Sequence, residues 1–158
     1  MNRLKLVLGV LALATLTACT GNSEPSAKPT PTTTCESSVK KGSLPAWARG
    51  GFTPPDQAIP HVVGDKGDIA GVLFGYPLSS PENTKRSNKI LWVSRPELTT
   101  PSDLKIHATL DGTSTVADRK VVGGPGPSNI DLPKAGCWTL DLRWSGHSDT
   151  VRLPYREG

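Results

Sequence analysis

Apolar side chains fall on every second position in three stretches of the chain. In Leu104-Lys105-Ile106-His107-Ala108-Thr109-Leu110 the apolar residues alternate with Lys105, His107 and Thr109. That is the period of a β-strand with one face buried and the other turned to solvent or to a second layer. Trp138, Leu140, Leu142 and Trp144 repeat the pattern against Thr139, Asp141 and Arg143, and Val151, Leu153 and Tyr155 repeat it again. The connection Ser145-Gly146-His147-Ser148-Asp149 is short and holds a glycine, which predicts a β-hairpin at the C-terminus. Residues 69–74 and 90–94 are short apolar runs bounded by Gly, Pro, Asn and Ser, and residues 116–122 form a weaker candidate strand.

Six or seven strands are expected from this pattern. The 15 prolines and 16 glycines of the chain argue against long helices. Some 120 residues from Ser37 onward suffice for one core and one domain. The expected fold class is therefore all-β: a single antiparallel β-sandwich, immunoglobulin-like in the broad sense, with a partly open barrel as the rival. Trp92, Trp138 and Trp144 belong to its core, whereas Trp47 lies in a segment without alternation. Trp47 and Phe52 are candidates for a binding surface, since an exposed aromatic can stack on a sugar or a partner; packing over a sheet edge is the alternative.

The N-terminus has a different pattern. Arg3 and Lys5 precede an apolar run of 11 residues, 6–16, which is too short to cross a bilayer as a helix, a span that needs roughly 20 residues. With Leu16-Thr17-Ala18-Cys19 after it, the segment has the three regions of an export signal. This tetrapeptide resembles the lipobox of bacterial lipoproteins. The resemblance implies residues 1–18 as signal peptide, cleavage between Ala18 and Cys19, and lipid on the Cys19 thiol; a plain signal peptide cut near Ala18 is the alternative. Residues 20–34, TGNSEPSAKPTPTTT, contain no large apolar side chain and predict an unfolded tether, so that 19–34 is lipidated cysteine plus linker and 35–158 the folded domain. In polyproline-like form the tether would reach up to ~45 Å.

Export changes the charge balance. Arg3 and Lys5 leave with the signal and no acid does, so 18 basic and 14 acidic residues become 16 and 14, a net +2. Without a run of basic residues, nucleic acid is not expected as a partner. Export also resolves the cysteine count: with Cys19 lipidated, Cys35 and Cys137 remain as one possible disulfide in an oxidising compartment. Cys137 is out of phase with the Trp138 face. The bond is therefore expected to clamp the incoming segment to the sandwich rather than to bridge two sheets through the core.

Catalytic and metal chemistry find little support. His61, His107 and His147, in an apparent loop, on a strand and in a hairpin turn, are far apart in sequence, which speaks against a convergent zinc or copper set. The loop Gly123-Gly124-Pro125-Gly126-Pro127-Ser128 loses two amide donors to proline and reads as an inter-strand turn rather than a phosphate cradle. Asp65, Asp68 and Glu82 lack the spacing of a calcium loop. No nucleophile elbow is present, and no cofactor motif. Residues 88–94 (NKILWVS) and 132–138 (LPKAGCW) resemble segments of small lipoproteins of Gram-positive bacteria, a likeness that implies fold and address but no activity. The expectation is a non-enzymatic, lipid-anchored binding or accessory module at the extracytoplasmic face of the cell membrane, with an envelope protein or polymer as partner. Two alternatives stand beside it. One is an envelope hydrolase of glycan or lipid, with its acid and base among Asp65, Asp68, Glu82 and Asp141; the other is a metal-binding lipoprotein.

Overall fold

The computed structural model describes residues 35–52 and 58–158. The signal peptide, its cleavage point, the lipidation site Cys19 and the tether lie outside the described residues. Among the described residues ten strands follow one another: β1 (Lys40–Gly42), β2 (Ile59–Val63), β3 (Ile69–Leu73), β4 (Leu78–Ser80), β5 (Lys89–Ser94), β6 (Leu104–Leu110), β7 (Val116–Val121), β8 (Pro127–Asn129), β9 (Gly136–Trp144) and β10 (His147–Glu157). They form two five-stranded sheets, a first in the order β1-β2-β3-β5-β8 and a second in the order β4-β10-β9-β6-β7. The fold is an all-β sandwich, with one 3-10 turn at Ala46–Ala48.

All strand pairs are antiparallel except one. At the edge of the second sheet, β4 runs parallel to β10, with Tyr155 opposite Leu78. The expected C-terminal hairpin is present, but its connection is shorter than the five residues 145–149: β9 and β10 are joined by only Ser145 and Gly146, both at positive φ (43° and 79°), and His147, Ser148 and Asp149 already pair in β10. That backbone is the tight two-residue turn whose twist matches the flanking strands.

The core lies between the sheets. Trp92, Trp138 and Trp144 are fully buried there with Ile106, Leu140, Leu142 and Leu153. Gly71 makes the room that Trp92 needs, because a Cβ on Gly71 would stand 3.0 Å from the indole Cζ3. Trp144 also donates its indole N–H to Ser94 Oγ at 2.9 Å, so a buried polar atom is satisfied across the sheets.

Strand β3 is buried at every position. Ile69 and Leu73 face the main core, while Ala70 and Val72 face outward into a second, smaller cluster with Leu44 and Ala48. The cover is the segment around the 3-10 turn, which lies across the first sheet with Trp47 and Phe52 packed against it. Burial on both faces explains why this strand reads as a continuous apolar run.

Cys35 and Cys137 form the expected disulfide, with a Cα–Cα distance of 5.7 Å across 102 residues of sequence. Cys35 belongs to no strand, and Cys137 lies on the side of β9 opposite Trp138. The bond thus clamps the incoming segment to the second sheet. Ser38 Oγ donates to Arg152 O at 2.7 Å beside it. Glu36 strengthens the same junction by accepting from Tyr76 Oη at 2.8 Å and from Arg156 Nε at 3.2 Å.

Candidate functional site

The outer face of the second sheet carries side chains in ranks set by the strand register. Lys120 on β7 is opposite Lys105 on β6, which is opposite Arg143 on β9, which is opposite Ser148 on β10. Two residues along each strand, the next rank is Asp118, His107, Asp141 and Thr150; the rank after that is Val116, Thr109, Thr139 and Arg152. A period of two puts each set on one face, and neighbouring strands are ~4.8 Å apart. The first rank therefore holds three cations within ~10 Å.

The ranks differ in how their charges are used. In the second, His107 Nδ1 meets Asp118 Oδ1 at 2.7 Å, and Thr150 Oγ1 donates to Asp141 Oδ1 at 3.0 Å. In the first, Lys120 pairs with Asp103 at 3.2 Å. The amide of Gly123, donating at 2.9 Å, and then the Lys120 ammonium hold the Asp103 carboxyl below its usual range. Lys105 and Arg143 have no ion-pair partner among the described residues.

A groove of about 740 Å³ opens at this end of the sheet. Lys105 and Arg143 lie on its floor, Ser102 and Asp103 bound one side, and the β9–β10 turn with His147 bounds the other. The turn is held from beneath, where Ser145 N–H donates to Ser102 Oγ at 2.7 Å. The His147 ring lies 5.9 Å from the Trp144 ring. Such a site offers an anion two cationic side chains of different geometry, the planar fork of arginine and the point charge of lysine.

The other sequence-derived candidates are dispersed. His61 is buried in β2, not in a loop as its sequence context implies, and its Nδ1 lies 2.8 Å from Ile59 O. His107 and His147 belong to the second sheet. No group of three His, Cys, Asp or Glu side chains is placed to hold a metal ion among the described residues. Asp65 and Asp68 sit in the β2–β3 turn, whose amides at Lys66 and Asp68 donate to the buried Asp149 carboxylate at 2.9 and 3.0 Å. Glu82 lies in the connection after β4, and Asp141 on the outer face of β9. The glycine-proline loop joins β7 to β8 as a turn. Trp47 and Phe52 are half-buried on the first sheet; Phe52 stacks on Phe74 with centroids 6.1 Å apart, and Phe74 is the more exposed ring.

Alternation puts Lys105 and Arg143 on the face turned from the core but does not join them, because strand order and register are not written in either strand alone. The usable signal was that Lys105, Lys120 and Arg143 each have a His or Asp two positions away, so aligned strands sort into ranks. Asp149 gave no signal, since an acid after a turn is ordinarily solvated.

No protein-family model matches the chain, and no curated protein matches it. Among solved structures, the sandwich is similar to one described as “Putative Lipoprotein from Bacillus anthracis”, with 19% sequence identity, a TM-score of 0.45, and coverage of 62% of this chain and 78% of that one.

Proposed function

We propose that the chain is an exported lipoprotein whose sandwich serves as a non-enzymatic binding or accessory module on the extracytoplasmic side of the cell membrane. Cleavage falls between Ala18 and Cys19, the Cys19 thiol carries the lipid, and residues 20–34 tether the domain. The observation that supports this reading most directly is the Cys35–Cys137 pair. A disulfide that closes so long a loop belongs to an oxidising compartment. It also takes both cysteines of the domain out of thiol chemistry, leaving Cys19, directly after Leu16-Thr17-Ala18, as the remaining thiol of the chain.

The anchor is tested with Cys19→Ala. Loss of the lipid mass, with accumulation of precursor or release of protein from the membrane fraction, is expected; unchanged lipidation and retention refute it. The binding role is tested by mild cross-linking in native membranes, comparing the full chain with signal, lipid and tether alone. A partner retained only by the full chain supports the module. Turnover by the purified protein in hydrolase screens, abolished by changing a convergent polar site, would replace it with an enzyme.

A further inference from the structure

Three cations side by side on one sheet face raise the energy of the fold, because like charges on paired strands repel. Asp103, whose carboxyl is held down by the Lys120 ammonium and by the charge of Lys105, offsets part of this, but Arg143 is exposed and has no ion-pair partner among the described residues. We propose that this rank, with the groove over it, binds successive phosphoryl groups of a linear phosphate polymer of the cell envelope that approaches from the side away from the membrane.

The chemistry of the rank fits that occupant. Arg143 offers paired N–H donors to two oxygens of one phosphoryl group, and Lys105 adds a mobile ammonium to the same or the adjacent group. Lys120, shared with Asp103, extends the positive row by one strand. A lone carboxylate could engage only part of a ~10 Å row, whereas successive phosphoryl groups can follow it. Asp118 and Asp141 in the next rank repel a polyanion, so the chain must lie across the strands along the first rank rather than down the sheet.

Placement selects the source of the phosphate. The N-terminal segment joins the sandwich at Cys137, near the start of β9, and Arg143 lies six residues further along the same strand. At ~3.4 Å per residue the groove is ~20 Å from the clamp, towards the opposite pole. If the N-terminus carries the anchor, as proposed above, the groove faces away from the headgroups of the anchoring bilayer.

The test uses the full lipidated protein in neutral detergent micelles, titrated calorimetrically with inorganic polyphosphate. Saturable binding that weakens at least about tenfold between low and moderate salt is expected, as counter-ion release requires. Lys105→Gln combined with Arg143→Gln should lower affinity at least about tenfold without lowering the thermal midpoint, while Lys105→Arg, which keeps the charge, retains affinity. Lys89→Gln on the other sheet serves as the control and should bind as the parent does. No binding, or equal binding by the double variant, overturns the proposal. Anionic phospholipid vesicles that bind through Lys105 and Arg143 as tightly as polyphosphate would overturn the assignment to a polymer. Because the titration is done in micelles, a failed anchor test at Cys19 leaves its result standing, so the two readings can fail separately.

Discussion

The two sheets expose their outer faces in opposite ways. The first is covered: Leu44 and Ala48 are buried on Ala70 and Val72, and Trp47 and Phe52 extend the cover. The second is bare, with Lys105, Asp118, Lys120, Asp141 and Arg143 all exposed in ranks. One face contributes a second small core and therefore stability. The other contributes exposed charge. A sandwich needs only its inner faces to be apolar, so this asymmetry separates the structural duty of one sheet from the recognition role proposed for the other.

The largest effect should come from the bond that holds the cover in place. The chain crosses from Cys35 to β1 and then to the 3-10 turn, so the disulfide fixes the start of the segment that covers the first sheet. Replacing Cys35 and Cys137 together with alanine should destabilise the protein by about 2–5 kcal/mol, read from the shift in urea midpoint. Hydrogen exchange should rise more at β2 and β3 than at β6 and β9. Equal loss of protection in both sheets would show that the bond acts on the unfolded chain alone.

Leu44→Ala should have an effect of comparable size. It removes a fully buried side chain from the cover and should cost about 2–5 kcal/mol, depending on how far the site collapses. A loss under about 1 kcal/mol would mean that the cover rests on the sheet without supporting it, and the contrast between the faces would weaken.

These two sites also show what the sequence makes legible. The inner faces of β6, β9 and β10 were readable because one-sided burial leaves a period-two signal, and Trp138 and Trp144 lie where that period puts them. The cover was not readable, since Leu44, Trp47 and Phe52 pack through a 3-10 turn with no period to detect. Four short strands, β1, β2, β4 and β8, were missed. Three have only three residues, and β2 contains Pro60, its second residue, which lies before the ladder to β3 begins at His61. The groove was half readable: alternation gave the outward direction of each cation, but their convergence depends on a register fixed by all the sheets together.

A smaller and pH-dependent effect belongs to Glu36, beside the clamp. Burial pushes its carboxyl up, but the hydrogen bond from Tyr76, the hydrogen bond and charge of Arg156, and the charge of Lys41 outweigh it and hold it below the ordinary 4.5. A carboxyl lowered on folding stabilises the protein at pH above its unfolded value, and that contribution is lost as pH falls through the folded one. Glu36→Gln should therefore lower the thermal midpoint slightly at neutral pH and converge with the parent under acid conditions. The pair is largely solvent-exposed, which limits the effect to a few tenths of a kcal/mol. A constant difference across the whole range would trace the loss to packing against Tyr76 and not to charge.

The smallest stability change, Lys105→Glu, separates the two faces most sharply. Lys105 stands between Lys120 and Arg143 on adjacent strands, so an acid there converts two repulsive neighbours into attractive ones, each worth about 0.2–1 kcal/mol, against the loss of its attraction to Asp103. The variant should be slightly more stable than the parent at low salt, by about 0.5 kcal/mol, and the gain should vanish near 1 M salt, where the Debye length is only ~3 Å. Polyphosphate binding should be lost in the same protein. Stability rising while binding falls is the result expected of a residue kept for recognition at the expense of the fold. A loss of stability instead would mean that Lys105 supports the sheet through packing of its aliphatic stem, and the bare face would then share the structural duty assigned to the covered one.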